Sequence, residues 1–183
     1  MENKDLIHKN RIKFMKMAYK EAEKAFLEDE VPIGCIIIDK NSKLLAKSHN
    51  RVEKKTNATL HAELVAIQKA TKKTGEKYLM DASIFVTLEP CPMCATAISL
   101  AKIKNVYIGV EDKKGGAILN GIKIFENTTN LYKPNIYTNI LSDECSEILK
   151  KFFKKLRNNK KNNLQGWNFM IIFDIDIKKF KRR

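Results

Sequence analysis

Residues 83–94 read SIFVTLEPCPMC, a strand-like run that ends in two cysteines three positions apart. The segment from Ser83 to Leu88 predicts a buried strand, because β-branched and aromatic residues dominate it. Pro90 is typical of a strand-to-helix corner, since its fixed φ suits helix entry and its missing N–H is not needed there. On a helix that starts here, Cys91 and Cys94 would share one face and could bind one ion.

A second motif, His61-Ala62-Glu63, lies at the predicted start of another helix, which begins near Leu60 and ends before Gly75. One imidazole and two thiolates form a zinc site with three protein ligands, which leaves the fourth tetrahedral position open to water. Such a metal acidifies its water, and Glu63, which is not needed as a ligand, can move the protons.

The chain contains two further histidines, and neither is expected to be a fourth ligand. His8 lies in a polar N-terminal stretch and is predicted to be solvated. His49 lies at a strand end and is predicted to be a packing residue or a residue at the rim of the site. A fourth protein ligand would block the water position.

Strands alternate with helices along the rest of the chain, which predicts an α/β domain with a mixed sheet. The predicted elements are a helix across residues 12–26, a hairpin of strands across 33–38 and 44–50, the strand before the cysteines and a helix across 94–101, strands across 106–110 and 136–141, and a helix from Ser142 whose apolar stripe is Cys145, Ile148, Leu149, Phe152, Phe153 and Leu156.

Composition favours a single globular domain in a reducing compartment. Of 183 residues, 44% are apolar, and no run approaches the roughly 20 apolar residues that a membrane span needs. The N-terminal residues lack the apolar region of a secretion signal. Four cysteines do not form a disulfide framework here, and Cys35 and Cys145 are expected in the core. We therefore expect a cytoplasmic protein without a membrane segment.

The net charge of +14 is concentrated at the C-terminal end. Residues 150–183 hold twelve Lys or Arg and two Asp, whereas the rest of the chain holds 23 basic and 19 acidic groups. This asymmetry favours a nucleic acid as partner. The alternative is a solvated surface, because Lys, Asn and Ile are abundant throughout.

No domain boundary is evident before about Arg157, so we predict a domain across residues 1–157 and a basic extension across 158–183. Within the extension, residues 167–177 form a β-rich segment between lysine clusters. An added edge strand, a dimer contact, an RNA-stacking surface and a disordered tail all remain open for this segment.

The His-x-Glu and Pro-Cys-x-x-Cys motifs together are the signature of zinc-dependent base deaminases. From about Met15 to Arg157 the sequence also resembles the bacterial-type tRNA-specific adenosine deaminases of the cytidine-deaminase-like superfamily. The motifs that carry this resemblance are Glu30-Val31-Pro32-Ile33-Gly34, His49-Asn50-Arg51, His61-Ala62-Glu63, Val86 to Cys94, Asp112-Lys113-Lys114-Gly115-Gly116-Ala117, and Glu144-Cys145 leading to Phe152-Phe153. Ile118-Leu119-Asn120 departs from the small residues that many members have there.

The resemblance implies a three-layer α/β/α fold with a five-stranded mixed sheet, one Zn²⁺ per subunit bound by His61, Cys91 and Cys94, and a homodimer. It also implies conversion of adenosine to inosine at the wobble position of a tRNA anticodon loop. Activated water would attack C6 while Glu63 protonates a ring nitrogen and ammonia leaves.

The resemblance also implies four substrate-binding residues. Asn50 would hydrogen-bond the purine, the Ala62 backbone would hold the base edge, and Asp112 and Lys113 would border the neighbouring nucleotides. Two simpler roles remain open: Asn50 could form a turn, and Asp112 could cap its own loop.

Three other functions compete with this one. A free-base or nucleoside deaminase for guanine or cytosine would share the metal, Glu63 and the fold. Cytosine in a nucleic acid is a second alternative, because the same chemistry can attack C4. A non-enzymatic RNA-binding subunit with structural zinc is a third, although such a site has no need of Glu63.

Overall fold

The computed structural model describes Ile7 and residues 9–162, with side chains as far as Asn159. The predicted exposure of His8 and the predicted β-rich segment at residues 167–177 lie outside the described residues. Among the described residues, no helix combines the length and apolar character that crossing a bilayer requires.

From Arg11 onward the described chain forms five strands and five helices, and the first two strands are consecutive. These are α1 (Arg11–Leu27), β1 (Gly34–Ile38), β2 (Leu44–His49), α2 (Ala62–Thr74), β3 (Ser83–Leu88), α3 (Pro92–Leu100), β4 (Asn105–Val110), α4 (Ile124–Asn127), β5 (Asn135–Tyr137) and α5 (Ser142–Asn162). The sheet order is β2-β1-β3-β4-β5. β1 pairs antiparallel with β2 and β3, whereas β3, β4 and β5 are parallel, so the predicted mixed five-stranded sheet is confirmed.

Alternate residues of the sheet face two different helical layers. Ile36 and Ile38 pack with α1 residues such as Phe14, whereas Cys35 and Ile37 belong to the apolar cluster that contains residues of α2 and α3. This is the period-two alternation of a strand that is buried on both faces. Cys145 of α5 packs in the α1 layer, and the predicted three-layer α/β/α arrangement is confirmed.

The parallel half of the sheet carries a column of aromatic rings. Tyr107 of β4 stacks between Phe85 of β3 and Tyr137 of β5, with ring centroids 4.3 Å and 4.6 Å apart. Cross-strand aromatic pairs stabilise a sheet beyond their area burial. The column therefore anchors β5, which is only three residues long.

Lysine side chains cover part of the outer strand β2. Lys69 Nζ donates to the Lys47 carbonyl at 3.0 Å, and Lys73 Nζ donates to the Leu44 carbonyl at 2.7 Å. Both lysines belong to α2, so the helix satisfies backbone acceptors that an outer strand leaves without strand partners.

Two predicted elements are shorter in the structure, and one short helix was not predicted. The fifth strand ends at Tyr137 rather than continuing to residue 141, because Asn139 and Leu141 have φ of 59° and 61°, a left-handed backbone that cannot extend a strand. The four-residue helix α4 was not predicted, since it is shorter than any periodic pattern that sequence can reveal. The apolar stripe of α5 ends early, with Leu156 41% exposed.

Gly34 sets the distance between α1 and β1. A Cβ atom at this position would lie 1.9 Å from the Ala18 carbonyl oxygen and 2.4 Å from the Ala22 backbone nitrogen. Because these are backbone atoms, no side-chain rotation relieves the clash, and only glycine permits this helix–strand approach.

We expect Gly34→Ala to lower the free energy of unfolding by about 3 kcal/mol or more, the upper range for overpacking a core. Gly75→Ala is the matched control, because Gly75 has φ of +73° and nothing within 4 Å of its added Cβ. That change should cost only about 1 kcal/mol of left-handed backbone strain. Urea denaturation measures both, and equal losses would contradict the packing argument.

Candidate metal centre and active site

Two helix starts carry the predicted metal ligands. His61 is the N-cap of α2, and Cys91 is the N-cap of α3; both have extended backbones, with ψ of 152° and 171°. Pro92 follows as the first residue of α3, and Cys94 lies in the first turn of that helix. Rigid elements therefore present all three side chains, as the sequence predicted.

The three donor atoms lie at metal-binding distances from one another. His61 Nδ1 is 3.6 Å from Cys91 Sγ and 3.6 Å from Cys94 Sγ, and all three atoms lie within 4.8 Å. Tetrahedral bonds of about 2.05 Å to nitrogen and about 2.3 Å to sulfur would separate nitrogen from sulfur by about 3.6 Å. His61, Cys91 and Cys94, called here the donor group, therefore fit a zinc-type metal ion in both chemistry and spacing.

The pKa values of the two site cysteines are shifted in opposite directions. Hydrogen bonds from Cys94 and His61 lower the pKa of the Cys91 thiol to about 4. The hydrogen bond to Cys91 and burial raise the pKa of the Cys94 thiol. One thiolate is therefore favoured without a metal, and a cation between the sulfur atoms would stabilise the second.

Glu63 lies in the first turn of α2 and is 3% exposed. Burial raises the pKa of its carboxyl to about 7. Its Oε2 atom is buried without a hydrogen-bond partner among the described residues. A buried polar atom of this kind requires a partner, and a water or substrate group beside the metal would supply one.

Asn50 and Ala62 are brought together by a hydrogen bond. The Ala62 N–H donates to Asn50 Oδ1 at 3.0 Å, and the Ala62 carbonyl accepts from Ser48 Oγ at 2.6 Å. Because Oδ1 of the buried Asn50 is engaged, its Nδ2 group is the one that can face a ligand. The Ala62 N–H is used to orient Asn50.

Asp112 and Lys113 lie in the loop after β4. Asp112 Oδ1 accepts from the N–H groups of Lys114 and Gly115, both at 3.0 Å, which is the loop-capping role left open by the sequence. Lys113 is exposed in the same loop.

Glu89 is a buried residue to which the sequence assigned no role. It is 3% exposed and accepts hydrogen bonds from the loop that contains Asp112. The available signal was a single carboxylate directly after a predicted buried strand, since such a charge needs several hydrogen-bond donors when it is buried.

His49 lies outside the donor group. Its Nδ1 is 3.1 Å from Glu21 Oε2, and its Nε2 is 3.5 Å from Glu28 Oε2. The predicted packing role is consistent with this arrangement. Glu21 on the buried face of α1, beside Ala18 and Ala22, was the signal for an ionic partner.

The fold and the donor group define this protein as a deaminase with the cytidine-deaminase-like fold, and a family profile of the MafB19-like deaminases matches residues 9–157. A curated tRNA-specific adenosine deaminase of Rickettsia bellii is 42% identical over 144 residues, which are 78% of this chain and 99% of the relative. The chain therefore belongs to the tRNA-specific adenosine deaminase family.

Two solved structures share the fold, and the first of them also supports this assignment. One from a study of A-to-I editing by tRNA:A34 deaminases at the wobble position of transfer RNA has a TM-score of 0.72 and 40% identity, covering 74% of this chain and 98% of that one. A guanine deaminase from Nitrosomonas europaea has a TM-score of 0.65 but 18% identity, covering 76% of this chain and 82% of that one. The second likeness shows the fold alone.

We expect the protein to purify with one metal ion per chain and Cys94→Ala to reduce metal content at least about tenfold, because a ligand is removed. Cys145→Ala is the control, since Cys145 is a fully buried thiol outside the donor group. Elemental mass spectrometry gives the metal-to-protein ratio. Equal metal content in the two variants would refute the assignment of the donors.

Proposed function

We propose that this protein deaminates adenosine to inosine at the wobble position of tRNA anticodons. The observation that carries the proposal is a buried, unpaired Glu63 oxygen beside a His/Cys/Cys donor group, in a chain 42% identical to a tRNA-specific adenosine deaminase. The alternatives, guanine or cytosine as free base or nucleoside, rest on the shared fold alone.

The cofactor in this proposal is one Zn²⁺ per subunit, held by His61, Cys91 and Cys94. When bound, zinc supplies a Lewis acid that makes water nucleophilic near neutral pH. The donor distances and the mixed nitrogen and sulfur set support this choice.

Glu63 is the proton carrier of the reaction. Its carboxylate takes a proton from the attacking water as the C6–O bond forms, and it delivers that proton to N1 of the purine. The second water proton then goes through Glu63 to the exocyclic amino group, so the C6–N bond breaks and ammonia leaves. The carboxyl is suited to both steps because burial raises its pKa to about 7.

The target base is oriented by Asn50 in this proposal. Oδ1 is held by the Ala62 N–H, so the Nδ2 group donates to an acceptor on the purine. Ala62 thus acts on the base edge partly through Asn50. Asp112 and Lys113 would border the flanking nucleotides from the neighbouring loop.

The anticodon loop is a suitable partner because its unpaired bases can be splayed out of the stack. Exposed basic side chains on α5 support a polyanionic partner and are Lys150, Lys151, Lys154, Lys155 and Arg157. Phosphate contacts from such residues position an RNA without reading its sequence.

We also propose that the protein forms a homodimer and that it is located in the cytoplasm. Met80 and Leu100 are 58% and 65% exposed, and their segments are joined by the hydrogen bond from the Leu79 N–H to the Ala101 carbonyl. Such a surface is available to a second copy. The four cysteines are free thiols, which suits a reducing compartment.

We expect the metal-loaded protein to form inosine in total tRNA, and Glu63→Gln to reduce the rate at least about one-hundredfold, because the proton carrier is lost. Glu23→Gln is the matched control, since Glu23 is an exposed residue of α1. Nucleoside analysis by mass spectrometry measures inosine, with free adenosine, guanine and cytosine as parallel substrates.

The proposal is supported if the wild type and Glu23→Gln form inosine in tRNA and Glu63→Gln does not. Turnover of a free base at a rate that matches or exceeds turnover of tRNA would replace the proposed substrate. Undiminished tRNA deamination by Glu63→Gln would contradict the proposed role of Glu63.

We also propose that residues 1–157 are the deaminase domain and 158–183 an extension. Among the described side chains of α5, Phe152 is the last that is buried, and the helix continues across residue 157 with exposed side chains. Deleting residues 159–183 should therefore leave metal content and the melting temperature nearly unchanged. Loss of metal or of soluble protein on this truncation would show that the extension is part of the fold.

A further inference from the structure

We propose that Glu89 is a positioning residue that fixes the loop across residues 111–120, called here the β4–α4 loop, against the metal-binding corner. Through this anchorage it places Asp112 and Lys113 for the RNA. The inference rests on the proposed function, since it concerns how that site holds its substrate.

Five hydrogen bonds join the Glu89 carboxylate to the β4–α4 loop. Oε1 accepts from the backbone N–H groups of Ile118, Leu119 and Asn120 at 3.1, 2.8 and 3.0 Å. Oε2 accepts from the Asp112 N–H at 3.0 Å and from Asn120 Nδ2 at 2.7 Å. All five donors belong to this one loop.

The charge of Glu89 is compensated by these N–H dipoles. No ion pair among the described residues includes Glu89, which is 3% exposed. Hydrogen bonds to a buried carboxylate are strong, and each donor left unpaired is costly. Glu89 therefore stabilises the conformation of the loop, and the N–H groups of the loop stabilise the buried carboxylate.

Glu89 is also adjacent in sequence to the metal-binding corner. Pro90 and Cys91 follow it directly, and the Pro90 carbonyl accepts from the Ala117 N–H at 3.0 Å. The loop closes tightly on the carboxylate, because a Cβ atom on Gly116 would lie 2.3 Å from Glu89 Cδ. One side chain thus ties the metal-binding corner to the loop that carries Asp112.

Glu89→Gln tests this anchorage with almost no change in shape. An amide has one oxygen and one NH₂ group. If the NH₂ group replaces Oε2, two loop donors face another donor; if it replaces Oε1, three do. At least two of the five hydrogen bonds are lost in either orientation.

Asn120→Asp provides a rescue in the Glu89→Gln background. The introduced carboxylate can accept from the introduced amide, which restores the side-chain hydrogen bond with its direction reversed. Alone, Asn120→Asp sets two carboxylates 2.7 Å apart and should loosen the loop. The double variant is therefore expected to be closer to wild type than either single variant.

Metal content, hydrogen exchange and tRNA kinetics are measured on the full chain, with Glu126→Gln as the control at an exposed carboxylate. For Glu89→Gln we expect unchanged metal, exchange at residues 112 and 118–120 faster by about tenfold or more, and a KM for an anticodon stem-loop raised about tenfold. The value of kcat should change less, because Glu63 and the donors stay in place.

Recovery of both exchange protection and KM in the double variant supports the proposal. Unchanged exchange and KM in Glu89→Gln would overturn it. If Glu89→Gln loses both its bound metal and the exchange protection of the loop, the proposal is also overturned, because Glu89 would then stabilise the metal-binding corner itself. A wild type that does not deaminate tRNA counts against the proposed function, and the exchange data and the rescue then decide the anchorage alone.

Discussion

Two helix starts must meet within a few ångströms to form the donor group, and close packing of small side chains makes that meeting possible. His61 and Cys91 are separated by 30 residues, yet their donor atoms lie 3.6 Å apart. Ala62 and Ala66 of α2 and Ala95 of α3 have no exposed surface and lie in one apolar cluster against the sheet. Since interiors are packed near crystal density, larger side chains there would push the helices apart and separate the ligands.

Two buried glutamates show how environment assigns different tasks to one residue type. Both Glu63 and Glu89 are 3% exposed, and both are close in sequence to a candidate metal ligand. The oxygen atoms of Glu89 accept five hydrogen bonds, whereas Oε2 of Glu63 has no partner among the described residues. A carboxylate whose two oxygen atoms accept several hydrogen bonds holds structure in place, whereas one with an unpartnered oxygen retains lone pairs for a reacting group.

The residue pattern predicts elements that follow from periodicity and spacing, and it fails where a single backbone angle or a distant contact decides. The strand from Ser83 to Leu88 and the placement of Cys94 in a helical turn follow from periodicity and spacing, and the structure has both. The early end of β5 and the role of Glu89 do not follow. Left-handed backbone at Asn139 leaves little trace in composition, and the loop donors to Glu89 lie 23 to 31 positions away along the chain.

Lys69 and Lys73 occupy carbonyl groups on β2, an outer strand of the sheet in the described part of the chain. A second copy would need free backbone groups on such a strand to lengthen the sheet across its edge. The opposite outer strand, β5, offers only three residues. Within the described residues, strand-by-strand growth of fibrous aggregates is therefore disfavoured at both edges of the sheet, and the helix and loop surfaces are the ones that a second copy could contact.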